Sequence, residues 1–534
     1  MFVDGRSLSG ETVVADLCIF GAGAAGISLA LEMASTGISI LLVESGDFDF
    51  EQETQSLAEA ENASFIDFPI ETTRLRYFGG TTNHWSGFTA MFSQFDMLGR
   101  PFNNNESWPL TDSEMLPFYR RAAVMCELGA LAFADTEACQ RQAGFSPVSM
   151  GGVDMAPAIS RFSPPTRFGQ VYRDRIEQAQ NIKVLLNSNV QELVTVDAGK
   201  RASIAEVACL GGSTFRIDAR VYVVAMGGIE SARLLLLSRR GQEAGLGNEH
   251  DLVGRYYADH IGFPGGAVRF ADGAAMSFFT RKHTIADSEI GGIFVPKADV
   301  LLRENIGNFR IELSPASVIP GVASLSTLRS APLAPDTLTR LGEHIGNILV
   351  DIDQVSNVVY KTVMRDRWGF LGAGKTGRAV SAGASMHISA EQQPNPQSRV
   401  VLSEQRDVFG QPKVKLQWKL QEADRRTLTR GFELFAASFA ASGLGRVRMP
   451  AEIVSGDFEP LIDIACHHSG TTRMATDPKR GVVDRDCRLH ATSNVYVASS
   501  AVFPTFSWVN PTLTIVALAM RLADHLKQHA WAHP

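Results

Sequence analysis

The feature that most constrains the fold is a run of glycines between two short apolar segments. Residues 13–20, VVADLCIF, have the short, β-branched texture of a buried parallel strand. The turn Gly21-Ala-Gly23-Ala24-Ala25-Gly26 follows. A helix-type pattern over 27–35 then runs to Gly37, a residue suited to ending a helix. Residues 38–43, ISILLV, form a second apolar strand that stops at Glu44. This predicts a β-α-β unit of about thirty residues. In the pattern GxGxxG, Gly21 permits the tight turn, Gly23 lets a pyrophosphate approach the backbone, and Gly26 lets helix and strand pack closely. Ala24 and Ala25 lie at the helix entrance, where free N–H groups and the helix dipole face the phosphates. Glu44 follows Gly26 by 18 residues, where its carboxylate can accept hydrogen bonds from an adenosine ribose. A lone GxGxxG is a weak signal. With strand, helix and acid in register it marks a dinucleotide site, without separating FAD from NAD.

The rest of the chain is ordinary globular protein. Its 534 residues are 45% hydrophobic and 20% charged, which excludes a disordered or fibrous chain. The net charge of −7 and the lack of a Lys/Arg run give no pull toward nucleic acid. Six scattered cysteines contain no CxxC pair and are expected to be reduced, with no metal site. There is no long uncharged apolar run and no visible export signal, so no membrane span is expected, and the cytoplasm is the expected compartment, with export carried by a partner subunit as the alternative. A second α/β-like region covers 182–237, and the C-terminal third returns to that texture with a strand at 494–498 and a helix at 511–527. Between them, 263–455 carries alternating runs such as SRVVLS and KVKLQWKL. The expected fold is α/β, or α+β taken as a whole. A nucleotide domain is built from 1–100, 165–262 and 456–534, with a cap or linker at 101–164. An inserted antiparallel-sheet substrate domain occupies 263–455.

Four further runs carry a family resemblance. They are Arg76-Tyr-Phe-Gly79-Gly80-Thr-Thr82-Asn83-His84-Trp85-Ser86-Gly, then Ala225-Met-Gly-Gly-Ile-Glu-Ser-Ala-Arg233, then Asp251-Leu-Val-Gly-Arg-Tyr-Tyr-Ala-Asp259-His260. The last is Cys466-His467-His468-Ser-Gly470-Thr471-Thr-Arg-Met474, continued through Ser499-Ser-Ala501 to Asn510-Pro511-Thr512. Together they resemble the glucose–methanol–choline (GMC) flavin oxidoreductases over about half the chain. The GGTTNHW run looks most like the pyranose oxidase and gluconate dehydrogenase branch. The middle, about 263–390, matches nothing nameable. The resemblance implies FAD, a Rossmann-like FAD domain beside a substrate domain, and oxidation of a CH–OH group to a carbonyl, with hydride passing to flavin N5.

The resemblance also assigns roles. His467 occupies the family's base position in H-x-x-G-T, and Asn510 the partner position that holds His or Asn. Histidine suits the task because its ordinary pKa lies near neutrality. No HxxxH, HExxH or nearby cysteine pair completes a metal set, so His467-His468 is not read as a metal site, and His468 is read as structural. Asn510 and Pro511 suit the N-cap and first position of a helix whose N-terminus, at Thr512, would face the N1–C2=O edge of a flavin. Gly79 and Gly80 let backbone run close to the isoalloxazine, and Thr82, Asn83, Trp85 and Ser86 supply contacts, Ser86 matching a hydroxyl that touches flavin N5 or O4. His84 matches a histidine joined covalently to the flavin 8α carbon, which predicts a covalent FAD. Val190, Ala225 and Ala501 complete the expected cofactor contacts. Phe506 and Trp508 stand where relatives carry smaller residues, and are expected either to reshape the pocket or to pack in the core. The leading expectation is oxidation of a sugar, glycoside or polyol-like alcohol, with O2, a quinone or a redox partner as acceptor. Alternatives are a hydrophobic alcohol, or a lyase of the hydroxynitrile lyase kind that keeps FAD without net redox.

Overall fold

The computed structural model describes residues 1–315 and 383–531, together with residues 341 and 345. The remainder of the expected substrate domain, within 316–382, lies outside the described residues.

The first sheet grows from the β-α-β unit. Thr12–Phe20 pairs in parallel with Ile40–Val43, and the helix Ala24–Met33 crosses between them. Leu17 to Phe20 and all of Ile40–Val43 are buried, which is why these strands read as unbroken apolar runs. Ile182–Leu186 and Phe2–Asp4 extend the parallel sheet on one side, and Thr214–Val224 and Val495–Val497 on the other. Arg201–Ala208 and Asn189–Val196 finish it as an antiparallel pair. Strand and helix boundaries shift from the expected ones. The helix enters at Ala24 because the Ile27 N–H already reaches the Gly23 carbonyl at 3.0 Å, although apolar periodicity shows only from Ile27. The helix Thr512–His529 packs on Ala24–Met33 and on Asp112–Met125, tying the C-terminus to the N-terminal unit.

The second sheet is antiparallel throughout. Its order is Gly445–Arg448, Ile261–Phe270, Gly383–Ala390, Phe309–Pro315, Ser288–Pro296, Met155–Phe162 and Phe88–Thr89, with Lys282–Ile285 and Asp463–Ile464 on side branches. Phe432, Phe435 and Phe439 of the helix Glu422–Ala441 are buried against it.

This pairing redistributes several of the expected segments, Asp463–Ile464 of the expected nucleotide domain among them. Met155–Phe162 and Phe88–Thr89, expected in the linker and the nucleotide domain, are strands of the second sheet. The hairpin Arg399–Arg406 and Pro412–Gln417, expected in the substrate domain, forms a separate small sheet with Ala60–Asn62. It lies against the helix Gly227–Leu237, where Arg233 ion-pairs with Asp407 at 2.6 Å. Long-range strand pairing decides each case, and local texture does not record it.

Candidate active site

Segments far apart in the chain line one cavity of about 570 Å³, within the usual range for ligand pockets. At one end is the glycine turn. Gly21 is left-handed at φ +99°, and a Cβ there would meet the Ala225 carbonyl at 2.6 Å. At Gly26 a Cβ would stand 1.9 Å from the Gly21 carbonyl, so this glycine sets helix against strand and does not reach the wall. A Cβ on Gly23 would find its nearest neighbour, Gly80 Cα, at 4.0 Å, which leaves room for a group lying on the backbone. No side chain caps the N-terminus of Ala24–Met33. Glu44 is buried, and it accepts hydrogen bonds from the Ala22 N–H at 2.8 Å, the Gly46 N–H at 3.2 Å and the Ser45 hydroxyl at 3.1 Å. It therefore braces the glycine turn as well as facing the cavity.

Beside Glu44 lies a buried charge cluster that motif reading passed over. Arg74, Arg76 and Arg233 surround Glu230 at 2.7, 3.4 and 3.7 Å. Burial opposes ionisation of Glu230, but the three guanidinium groups hold its pKa down at about 2. Arg76 Nη2 donates to Asn189 Oδ1 at 3.2 Å.

The loop after Phe78 forms a second wall. Gly79 is left-handed at φ +99° and opens the turn Gly80–Asn83. Asn83 donates to the Phe78 carbonyl at 3.0 Å and braces the turn from behind. Neither Gly79 nor Asn83 lines the cavity, whereas Gly80, Thr82, His84, Trp85 and Ser86 do. Arg167 donates to the Thr82 and Trp85 carbonyls, each at 3.0 Å. Burial, and then the charge of Arg167, lower the pKa of His84.

The opposite end carries His467 and Asn510. His467 lines the cavity and is half-buried, and burial followed by the Arg310 charge lowers its pKa to about 3. Its Nδ1 lies 2.8 Å from Nδ1 of His260, a buried residue whose Nε2 is 2.9 Å from the Ser507 carbonyl. The His467 N–H donates to the Asp259 carboxylate at 2.9 Å. Burial raises the Asp259 pKa to about 7, against the pull of the N–H groups of His467, His260, Cys466 and Ala465. Two non-glycine residues here are left-handed, Cys466 at φ +59° and Ser507 at φ +56°. Ser507 is held by its hydroxyl, which donates to Asp96 at 2.6 Å. Phe506 packs on His260 with ring centroids 4.3 Å apart, and the Trp508 carbonyl accepts from Arg310. Neither aromatic side chain lines the cavity, so the packing alternative describes Phe506.

Asn510, Pro511 and Thr512 reach the wall, but not with the expected cap geometry. Pro511 already has helical backbone, no side chain caps the helix, and the Asn510 amide oxygen is buried without a protein partner. Asn510 thus turns to the cavity and does not serve the helix. Ala501 is fully buried behind the wall, where its carbonyl accepts from the Thr472 N–H at 2.9 Å. Val190 and Ala225 are wall residues. His260 is the functional candidate that motif reading left without a role. It ends the run 251–260, but only the fold shows it touching His467.

The cavity suits an FAD. Four buried polar atoms of lining residues lack protein partners: Arg76 Nε, Asn189 Nδ2, His468 Nε2 and Asn510 Oδ1. Two helix N-termini without side-chain caps, at Ala24 and Thr512, open on it, offering N–H donors to anionic groups. Among the described residues there is no cluster of metal-ligating side chains, and no helix is long and apolar enough to cross a membrane.

Comparison with known proteins agrees with this geometry. Residues 394–519 match the family model described as GMC oxidoreductase. The chain is 23% identical to the fructose dehydrogenase large subunit of Gluconobacter japonicus, over 97% of this chain and 98% of that protein. It is 25% identical to the 6'''-hydroxyparomomycin C oxidase of Streptomyces lividus, over 97% of this chain and 93% of that one. An FAD-dependent oxidoreductase from Chaetomium thermophilum shares the fold, with a TM-score of 0.54 at 15% identity, covering 96% of this chain and 99% of that one. The family match, the full-length relatives and the meeting of the glycine turn with His467 and Asn510 in one cavity agree: residues 394–519 are a GMC oxidoreductase segment, in a chain similar to oxidoreductases over nearly its whole length.

Proposed function

We propose that this protein oxidises a CH–OH group of a sugar, glycoside or polyol-like alcohol to a carbonyl, using FAD. The observation that carries this reading is the shared cavity, in which a dinucleotide turn and a neutral histidine face the same space. The names of the relatives, a fructose dehydrogenase and an aminoglycoside oxidase, favour a polyhydroxylated substrate. Bound FAD supplies the acceptor for the hydride that leaves the carbinol carbon.

The chain supplies the rest. Gly23, Ala24 and Ala25 would hold the pyrophosphate, Glu44 the ribose, and the wall from Gly80 to Ser86 the ring. His467, whose low pKa keeps it unprotonated at neutral pH, takes the hydroxyl proton as the C–H bond breaks. The Asn510 amide holds the substrate oxygen against that nitrogen.

The test is anaerobic mixing of the holoenzyme with a panel of sugars, glycosides, polyols and hydrophobic alcohols. A polyhydroxylated member should bleach the flavin absorbance, and re-oxidation by oxygen or a quinone then identifies the acceptor. Bleaching by hydrophobic alcohols alone would overturn the substrate class.

His84 belongs to the same reading: its ring would hold the flavin covalently, through the 8α carbon. Its depressed pKa leaves a nitrogen lone pair available. Acid-precipitated protein should keep its flavin fluorescence on a denaturing gel, and flavin released into the supernatant refutes the linkage.

A further inference from the structure

His260 Nε2 lies 2.9 Å from the Ser507 carbonyl oxygen. A carbonyl only accepts, so His260 Nε2 carries the hydrogen. Neutral imidazole has one N–H, so His260 Nδ1 is a bare acceptor. His467 Nδ1, 2.8 Å away, must then donate to it. With its hydrogen on Nδ1, His467 keeps its lone pair on Nε2. That nitrogen has no hydrogen-bond partner among the described residues, and its ring lines the cavity.

We propose that His260 is a positioning residue that holds His467 in the Nδ1–H form, so that Nε2 is the atom that takes the substrate proton. The proposal rests on the reading of His467 as the base. In the step, the substrate O–H bond breaks and an Nε2–H bond forms. The resulting imidazolium still donates through Nδ1, and His260 keeps its own hydrogen.

The surroundings make the opposite arrangement costly. A protonated His260 would donate from Nδ1 and force the hydrogen of His467 onto Nε2, which would leave no base. His260 is 1% exposed, Phe506 lies on its ring, and its ring nitrogens contact His467 and the Ser507 carbonyl without a carboxylate. Burial, the neighbouring His467 and the Arg310 charge keep it neutral.

The Ser507 carbonyl that sets the sequence is itself fixed. The Ser507 hydroxyl donates to Asp96 Oδ1 at 2.6 Å, and Asn308 Nδ2 donates to the same oxygen at 2.8 Å. The Asn308 N–H donates to Glu391 at 2.8 Å, and Glu391 is paired in the interior with Arg100 at 2.7 Å. The tautomer of the base is therefore set by a hydrogen-bonded series that reaches into the second sheet.

The experiment is nitrogen NMR on holoenzyme carrying 15N-histidine, with the His467 signals assigned by loss in His467→Gln. The expected spectrum shows His467 protonated at Nδ1 and bare at Nε2. His260→Asn places an amide oxygen near the lost Nδ1 but has no group to reach the Ser507 carbonyl, so it should keep more of the Nδ1–H form than His260→Leu does. His260→Leu removes the acceptor; it should mix the tautomers and slow anaerobic flavin reduction about 10–10²-fold, as loss of an orienting partner does elsewhere. A wild-type His467 protonated at Nε2 overturns the proposal, as does His260→Leu with unchanged spectrum and rate. If His260→Leu does not fold, the wild-type spectrum alone decides. If the Nδ1–H form is found but His467→Ala reduces flavin at the wild-type rate, the tautomer assignment stands and the reading of His467 as base fails.

Discussion

The two ends of the cavity are built in opposite ways. The nucleotide end is nearly continuous in sequence, from Thr12 to Gly46, and is made of backbone, glycine and one acid. Its left-handed position falls on a glycine, Gly21, where it costs no Cβ strain. The base end is gathered from Asp96, Asp259–His260, Asn308–Arg310, Cys466–His467 and Ser507–Asn510. It places left-handed backbone on Cys466 and Ser507, at about 1–3 kcal/mol each, and it buries polar groups, most of them paired within the protein and Asn510 Oδ1 left for a ligand. One end is a shape that receives a cofactor. The other is a strained polar network that sets the state of one histidine. Substitutions should therefore separate cofactor retention from rate.

The largest effect expected is at Gly26. A methyl there would sit 1.9 Å from the Gly21 carbonyl, so helix and strand must part and the turn loses its form. Gly26→Ala should yield protein without bound flavin, read from the ratio of visible to ultraviolet absorbance. His467→Ala should do the reverse, keeping its flavin while anaerobic reduction slows by about 10²–10⁴-fold. Stoichiometric flavin in Gly26→Ala, or flavin loss in His467→Ala, would erase the contrast between the ends.

Ser507→Ala sharpens it further. The substitution removes the 2.6 Å bond to Asp96 and leaves a left-handed residue without its anchor. Flavin content should not change. Reduction should slow by about tenfold, within the range for loss of an orienting partner, and stability should fall by about 1–3 kcal/mol. A stability loss with no change in rate would show that the network supports the fold without setting the base.

The pH profile compares the buried base with an ordinary histidine. The His467 pKa is about 3, so its neutral, competent form persists down to acid pH. Flavin reduction after a rapid pH jump should stay level from about pH 9 to about pH 5, whereas a histidine at about 6.5 would lose tenfold by about pH 5.5. An inflection near 6.5 that survives in Asp259→Asn would contradict a desolvated base. One near 7 that disappears in that variant belongs to Asp259, which titrates there.

The same contrast explains what the sequence discloses. The β-α-β unit, the three glycines and Glu44 are legible because each acts within a short window whose spacing carries the geometry. Even there, the bond from the Ala22 N–H to Glu44 was not visible, since it follows from the turn once folded. At the base end, His467 and Asn510 are legible only through their resemblance to a family pattern. His260 is not, because a histidine before a strand looks the same whether its ring meets His467 or a core leucine. Phe506 shows the same limit: an aromatic beside that run fits a pocket wall or the core equally well, and only the fold shows its ring packed on His260. The hairpin at 399–417 shows it at the level of the fold, where alternation predicts strands but not which sheet receives them.

The smallest expected effect concerns Asp259, which ties the base loop down. Its folded pKa, about 7, is raised above the ordinary 3.8, because burial outweighs the N–H groups that favour the carboxylate. A raised carboxyl contributes stability that is full below about pH 4 and is lost as pH climbs to about 7. In that window the unfolded chain ionises freely while the buried group resists. Between about pH 5 and pH 7 the loss from this one residue is about 2 kcal/mol. Asp259→Asn keeps an amide oxygen for the His467 N–H and has no proton to release, so it should melt with a shallower pH dependence. The slope will not vanish, because Asp424 is also buried and raised to about 7, and it remains in the variant. For a chain of this size the difference amounts to a few degrees or less in melting temperature between the two pH values. Equal slopes in wild type and Asp259→Asn would mean that Asp259 is already ionised in this window. The base end would then hold a permanent charge beneath His467, and the pH profile of flavin reduction should shift to match.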